Sequence, residues 1–229
     1  MIVAIDGPAG AGKSSAARAL AHRLGFRFLD TGAMYRAVAL AGLRRKVDFN
    51  DGESLAQLAR RISIALDADR VRLDGDDVTH EIRTLAVTSV THYPANNPLV
   101  REHLVELQRQ IAAGREMVTE GRDQGTVVFP RAECKIFLTA SALERARRRH
   151  RDLAEHGERI TLEEVLADQN ERDRRDASRD VGPLKPADDA VELNTDGLSA
   201  DEVVDRLEAL VRARMRVGQA FQPDGVEPA

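Results

Sequence analysis

Short apolar runs alternate along this chain with longer segments whose apolar residues recur at helical spacing. The runs are too short for helices and have the length of buried parallel strands. They are residues 2–5, 26–29, 117–119, 135–139 and 190–193. Helical periodicity begins near residues 15, 33, 55, 98 and 198. Strands that alternate with helices predict an α/β fold, here a five-stranded parallel sheet with helices on both faces.

The rhythm changes between residues 62 and 84, where apolar and polar positions alternate with period two. Ile62, Ile64 and Leu66 alternate in this way, and turn-forming residues follow at 68–69 and 74–75. This pattern predicts two or three short antiparallel strands. Because it interrupts a parallel fold, we expect residues 50–98 to form an inserted lobe that closes over a substrate.

The overall composition is that of an ordinary soluble protein. The 229 residues are 42% hydrophobic and 31% charged, with a net charge of −4, so there is enough chain for one substantial core and no basic field. Aromatic residues make up 3%, and no apolar stretch reaches membrane-spanning length. We therefore expect a cytoplasmic monomer with no nucleic-acid or membrane partner. We expect residues 1–217 to form a single domain and the tail, 218–229, to be disordered.

The first predicted strand runs into a glycine-rich loop of the pattern Gly-x-x-x-x-Gly-Lys-Ser. The loop reads Gly7-Pro8-Ala9-Gly10-Ala11-Gly12-Lys13-Ser14. Between a strand and a helix, the backbone N–H groups of such a loop cradle phosphate oxygens at the helix N-terminus. Lys13 would reach the outer phosphates, and the Ser14 hydroxyl would ligate Mg²⁺. The loop therefore predicts a nucleotide site.

Charged side chains further along the chain supply what a phosphate site needs. Asp30 and Asp123 follow the second and third core strands, at the sheet edge where α/β proteins bind ligands. Arginines cluster in residues 145–151 and 172–179, in two predicted helices with His156-Gly157 between them. A charge run is usually a solvated face. Beside a phosphate site, however, we interpret residues 145–179 as a helical hairpin whose arginines form a lid.

Several stretches, in order along the chain, make the sequence similar to those of the bacterial cytidylate kinases. The likeness runs from residue 1 to about residue 214, and the ordered set is far more specific than the phosphate loop alone. The matching stretches are residues 5–13, 30–36, 81–84, 100–102, 121–130, 135–141 and 172–179, followed by Pro183-Leu184. The resemblance implies a P-loop nucleoside-monophosphate-kinase fold with a small monophosphate-binding insert and a helical lid.

The resemblance also implies an activity and a set of site residues. The activity is transfer of the γ-phosphate of ATP, bound with Mg²⁺, to CMP or dCMP, which gives CDP or dCDP and ADP. Residues expected at the ATP site are Gly7, Pro8, Ala9, Gly10, Ala11, Gly12, Lys13, Ser14 and Ser15. Residues expected at the CMP site are Thr31, Arg36, His92, Arg101, Arg122, Asp123, Asp176 and Arg179. The expected catalytic cations are Lys13, Arg172 and Arg179.

Two positions depart from the family pattern. His92 stands where the family usually has a serine that contacts the base, and Glu120 stands where it usually has an aspartate. Histidine still offers one hydrogen bond but is bulkier, so we expect looser discrimination between cytosine and uracil. A lone histidine is also often a plain surface residue, and that interpretation stays open. Glu120 keeps the charge with one more methylene group, so we expect that change to be tolerated.

Two other classes of function remain open at this point. The first is another small-molecule kinase on the same core, acting on UMP, AMP or shikimate. The strand-rich segment 62–84 and the Gly121-Arg122-Asp123 stretch favour the cytidylate interpretation over these. The second is a nucleotide-dependent switch that makes no product. A GTPase switch needs an Asn-Lys-x-Asp motif and an Asp-x-x-Gly segment, and the sequence contains neither.

Overall fold

The computed structural model describes residues 1–67, 70–155 and 157–220, and it forms two sheets and nine α-helices within those ranges. The strands are β1 (Ile2–Asp6), β2 (Arg27–Asp30), β3 (Ile64–Asp67), β4 (Arg70–Leu73), β5 (Asp76–Asp77), β6 (Met117–Gly121), β7 (Cys134–Thr139) and β8 (Val191–Asn194). The helices are α1 (Lys13–Leu24), α2 (Thr31–Arg44), α3 (Gly52–Arg61), α4 (Leu85–Val90), α5 (His92–Asn96), α6 (Pro98–Ala112), α7 (Ala142–Glu155), α8 (Leu162–Ala177) and α9 (Ala200–Ala220).

The larger sheet has five strands in the order β2-β6-β1-β7-β8, and every pairing in it is parallel. This confirms the predicted α/β fold and all five predicted core strands. In this register Asp6 lies opposite Gly121, and Asp30 lies opposite Glu120. The polar residues that end these strands therefore meet at one edge of the sheet, which is where an open α/β sheet binds its ligands.

Apolar side chains cover both faces of this sheet. On one face α1 and α9 pack against β1 and β7, through residues such as Leu20, Leu207 and Ile136, all of them buried. On the other face α2, α3 and α6 pack together with the smaller sheet, as expected for a layered α/β protein. Helix α6 begins where the sequence predicts, because Pro98 occupies its first turn and the Asn97 side chain accepts hydrogen bonds from two of its free N–H groups.

The strand-rich segment forms the predicted antiparallel strands. β3, β4 and β5 make a three-stranded antiparallel sheet. The turn predicted before β4, at residues 68–69, lies outside the described residues. Sequence analysis missed α4 and α5, which follow this sheet. Each is six residues or shorter, which is too few for a helical period to be visible.

The two arginine-rich stretches lie in α7 and α8, as predicted. α8 begins with a capping box between Thr161 and Glu164. Gly157 lies in the connection, and His156 is outside the described residues. The mobility of this pair of helices as a lid stays a prediction.

The last helix, α9, extends to Ala220, beyond residue 218 where the sequence predicts the tail to begin. An i to i+4 pair between Glu208 and Arg212 supports its exposed face. Residues 221–229 of the predicted tail lie outside the described residues. Among the helices of the described residues, none is long and apolar enough to cross a membrane.

Candidate active site

The glycine-rich loop connects β1 to α1, as predicted. Gly7 has φ of 151°, and a Cβ added there would lie 1.9 Å from the carbonyl oxygen of Leu138, so no side chain fits. Gly12 has φ of 82° and precedes the first residue of α1, Lys13. The free N–H groups of the first turn of α1 therefore face the mouth of the loop, which is an anion-binding arrangement.

Lys13 is almost completely buried beneath this loop. Its Nζ donates a hydrogen bond to the carbonyl oxygen of Pro8 at 2.7 Å. Burial, together with the nearby guanidinium groups of Arg122 and Arg172, lowers the pKa of the Lys13 ammonium to about 7, although Glu120 opposes the shift. The hydrogen-bond acceptor of this ammonium, the Pro8 carbonyl oxygen, is neutral, so an anion bound in the loop would give it a negatively charged partner.

Glu120 lies at the carboxyl end of β6, between the loop and α2. Its Oε1 accepts a hydrogen bond from the Ser14 hydroxyl at 2.9 Å, and its backbone carbonyl accepts one from the Thr31 hydroxyl at 2.7 Å. Burial raises the pKa of the Glu120 carboxyl, and the neighbouring Asp30 carboxylate adds to that rise. Glu120 thus places a carboxylate oxygen beside the Ser14 hydroxyl, and oxygen atoms of this kind are the ligands that Mg²⁺ prefers.

Arg101 and Asp123 form a buried ion pair opposite the loop. Arg101 Nη2 donates to Asp123 Oδ2, and the two side chains are 4% and 6% exposed. Burial raises the pKa of the Asp123 carboxyl, while Arg101 acts to lower it. Arg101 Nε is buried without a hydrogen-bond partner among the described residues. Buried polar groups normally have partners, so this N–H donor is suited to a ligand atom.

A second ion-paired group lies beside the first and joins β6 to α8. Arg122 Nε donates to Asp176 Oδ2 at 2.8 Å, and Arg179 Nη2 donates to Asp176 Oδ1. The two arginines hold the pKa of the Asp176 carboxyl below its usual value in spite of its burial. Asp176 is therefore ionised and acts as the counterion of both.

Arg172 is the best placed cation for a bound phosphate. Among the described residues its guanidinium makes no hydrogen bond or ion pair, and it lies close enough to Lys13 to lower the pKa of that ammonium. Burial lowers the pKa of Arg172 itself to about 10, and Arg122 adds to this effect. The positive charges of Arg122 and Arg172 thus both act on Lys13, and the carboxylates of Glu120 and Asp6 oppose them.

Arg36 extends this positive region toward the inserted segment. Its Nη1 donates to the Thr88 hydroxyl at 2.7 Å. Burial lowers the pKa of Arg36, and the charges of Arg83 and Arg149 contribute, although Asp30 opposes them. Sequence analysis did not single out Arg149, although it lies in the arginine cluster of residues 145–151.

His92 is the predicted site residue that is least integrated with the others. Its Nδ1 lies 2.8 Å from the carbonyl oxygen of Ser89, and its ring packs on Tyr93 with 4.2 Å between the ring centroids. It makes no hydrogen bond to Arg101, Asp123 or Asp176, which are mutually close in the described structure.

Helices α7 and α8 contact the phosphate loop directly. Arg145 Nη1 donates to the carbonyl oxygen of Ala9 at 2.7 Å and to Asp173 Oδ2 at 2.6 Å, and the N–H of Ala9 donates to Asp173 Oδ1 at 3.2 Å. Helices α7 and α8 are therefore held over the loop by both backbone polar groups of one residue, Ala9.

Sequence analysis also missed Asp6, which organises the segment after Arg122 and Asp123. Its buried carboxylate accepts hydrogen bonds from the N–H groups of Gln124 and Gly125 at 2.8 and 2.7 Å. These bonds hold the start of a π-helical turn, Gln124–Val128. Burial raises the pKa of Asp6 to about 6. Asp6 directly precedes the glycine-rich loop in the sequence, and this position could have identified it as a candidate site residue.

A phosphate loop on a parallel sheet, facing clustered arginines and a buried Arg–Asp pair, defines the class of P-loop phosphotransferases. The sequence profile of the cytidylate kinases matches residues 3–213. The chain therefore belongs to the cytidylate kinase family. It is 53% identical to a cytidylate kinase of Rhodopirellula baltica over 220 residues, 96% of each chain. It is 51% identical to a cytidylate kinase of Pelotomaculum thermopropionicum, over 93% of this chain and 97% of that protein.

Among solved structures, the fold is similar to an uncharacterised protein from Eubacterium ventriosum. The TM-score is 0.50 at 10% sequence identity, with 93% of this chain and 99% of the other covered. At this identity the likeness supports the fold alone.

Proposed function

We propose that this protein transfers the γ-phosphate of ATP to CMP or dCMP, and so forms CDP or dCDP together with ADP. The observation that carries the proposal is the approach of Lys13, Arg172 and Arg122 beside the buried Arg101–Asp123 pair. This arrangement puts a cationic site for phosphate next to a polar site that suits a nucleobase. The curated relatives named as cytidylate kinases support the same activity.

On the donor side, residues 7–15 hold the phosphates of ATP. The backbone N–H groups at residues 10–15 surround the β- and γ-phosphates, and Lys13 exchanges its bond with the Pro8 carbonyl for phosphate oxygens. Mg²⁺ fits this site with Ser14 as its protein ligand. The described residues contain no group of three acidic, histidine or cysteine side chains that could hold a metal, and phosphate and water oxygens would be its other ligands. The ion, when bound, neutralises charge on the transferred group.

On the acceptor side, Asp123 and Arg101 read the base. A carboxylate accepts the hydrogens of the exocyclic amino group of cytosine, and the unpartnered Arg101 Nε donates to an acceptor of the ring edge. Arg36 and Arg122 bind the acceptor phosphate, and Asp176 with Arg179 contacts the sugar. Thr31, a buried residue at the start of α2 whose hydroxyl donates to the Glu120 carbonyl, contacts the nucleotide.

The transfer itself needs positioning and charge compensation more than covalent chemistry. The in-line transition state spreads negative charge over the equatorial oxygens of the γ-phosphoryl group. Lys13 and Arg172, whose charges act on each other, would compensate that charge, which supports their assignment as catalytic cations. Closure of α7 and α8 over the loop, through Arg145 and Asp173, excludes water that would otherwise hydrolyse ATP.

The direct test is conversion of CMP to CDP by the purified protein with MgATP. CDP that forms at the rate of ADP release supports the proposal. ADP release without CDP would contradict it.

A further inference from the structure

A chain of hydrogen bonds runs from the inserted segment through α8 to the core sheet. Asn96 Oδ1 accepts from Arg179 Nε at 2.8 Å, Arg179 Nη2 donates to Asp176, and Asp176 accepts from Arg122 Nε at 2.8 Å. Asn96 ends α5, Arg179 follows the end of α8, and Arg122 follows β6. Three segments that are far apart in sequence are thus joined in one line.

We propose that Asn96 is a positioning residue, which holds Arg179 against the acceptor site and thereby couples closure of the inserted segment to closure of the α7–α8 hairpin. The proposal rests on the proposed function, since the acceptor is the nucleoside monophosphate of that reaction. It adds a residue outside the sequence-predicted site, and Asn96 acts only through the guanidinium of Arg179.

The geometry gives Arg179 few alternatives. Its side chain is 10% exposed, and its Nη2 is already committed to Asp176. Arg101 and Arg122 lie close enough to lower its pKa, in addition to burial. The guanidinium therefore lies close to other positive charges, and its hydrogen bonds to Asn96 and Asp176 hold it in that position. Loss of Asn96 would leave one acceptor and free the group to rotate about its bond with Asp176.

The surroundings of Asn96 allow this contact to open without unfolding the protein. Asn96 is exposed, and a cavity of about 210 Å³ lies beside it, lined by Pro98, Ser178 and Arg179 among others. Water can therefore replace the Asn96 oxygen. A contact that water can replace contributes a small free energy, which suits a link that must form and break in every catalytic cycle.

The test is a double-mutant cycle with Asn96→Ala and Arg179→Lys, with CMP as the varied substrate. In the wild-type background, Asn96→Ala should raise the KM for CMP about five- to tenfold, with kcat within about twofold and the KM for ATP unchanged. In the Arg179→Lys background the same change should have almost no effect, because its target is gone. Asn96→Asp keeps an acceptor oxygen and should hold the KM near its wild-type value.

A matched control is Asn50→Ala, since the Asn50 side chain bonds only to Asp48 within its own loop. It should leave the KM for CMP unchanged. An equal rise in KM from Asn96→Ala in both backgrounds would overturn the proposal, as would a failure of Asn96→Asp to rescue. If the wild-type protein prefers another monophosphate over CMP, the proposed function fails, while the same cycle run with the preferred acceptor still tests Asn96.

Discussion

Lys13 Nζ donates a hydrogen bond to the carbonyl oxygen of Pro8, 2.7 Å away. Both residues belong to the loop that is expected to bind the phosphates of the nucleotide. The ammonium is buried beside two guanidinium groups, and its pKa is lowered to about 7. A bound nucleotide reverses this situation, because phosphate oxygens replace one neutral carbonyl as its partners.

Proton uptake on nucleotide binding follows from this relationship. At pH 8 a group with a pKa of about 7 is about one-tenth protonated, and phosphate contacts raise that pKa. Binding of MgATP without an acceptor should therefore take up about 0.9 proton per site at pH 8 and far less at pH 6. Calorimetry in two buffers of different ionisation enthalpy measures the number. An uptake that does not grow from pH 6 to pH 8 would contradict a lowered pKa at Lys13.

Removal of the Lys13 ammonium should affect the chemical step. Lys13→Ala should lower kcat by about a thousandfold, since cationic groups are worth that much in phosphoryl transfer. Steady-state kinetics with saturating ATP and CMP measures the loss. A variant with nearly normal kcat and only a raised KM for ATP would assign Lys13 to nucleotide binding alone.

Asp123 should decide between cytosine and uracil. A buried carboxylate that faces the uracil carbonyl places two acceptors together, which costs roughly 1–3 kcal/mol, or about a 5- to 150-fold preference for CMP. Asp123→Asn can donate to that carbonyl, so it should narrow the preference while it lowers kcat/KM for CMP. It also leaves Arg101 buried without its counterion, so the Tm should fall.

An equal loss of kcat/KM for CMP and UMP in Asp123→Asn would contradict the assignment of Asp123 to base recognition. His92→Ser is the companion variant. It should widen the preference if His92 loosens base recognition. No change in the ratio would leave His92 as a surface residue that contacts Ser89 and Tyr93.

We expect substitutions of different arginines in α7 and α8 to change different kinetic parameters. Arg172→Ala should lower kcat about a hundredfold or more, because this guanidinium lies beside Lys13. Arg149→Ala should mainly raise the KM for CMP, since its charge acts on Arg36. Arg147→Ala is the matched control on the exposed side of α7 and should change neither parameter. Equal effects of all three changes on kcat would indicate a general electrostatic role.

Sequence patterns were sufficient for the main elements of the fold. β1 begins with a continuous apolar run, residues 2–5, and α6 has both an apolar face and a cap at Asn97, so local signals agree with the final structure. The short helices α4 and α5 lack such signals. The π-helical turn, Gln124–Val128, depends on a hydrogen bond that the N–H of Gln124 donates to the Asp6 carboxylate, 118 residues away in sequence, so no local pattern reports it.

The candidate site was predictable as a set of residues but not as a set of distances. Lys13 and the arginines were identifiable from their motifs. Arg145 is bonded to Ala9, whereas Arg172 makes no hydrogen bond or ion pair within the described part of the chain, and this difference is a result of how α7 and α8 pack. Asn96 carries no motif, and only the packing brings it to Arg179.

The measurement that tests the central proposal most directly is acceptor turnover with MgATP across CMP, dCMP, UMP and AMP. We predict the highest kcat/KM with CMP or dCMP, a value about 5- to 150-fold lower with UMP, and the lowest with AMP. A protein that phosphorylates AMP or UMP at least as efficiently as CMP, or that phosphorylates none of the four, would contradict the proposal.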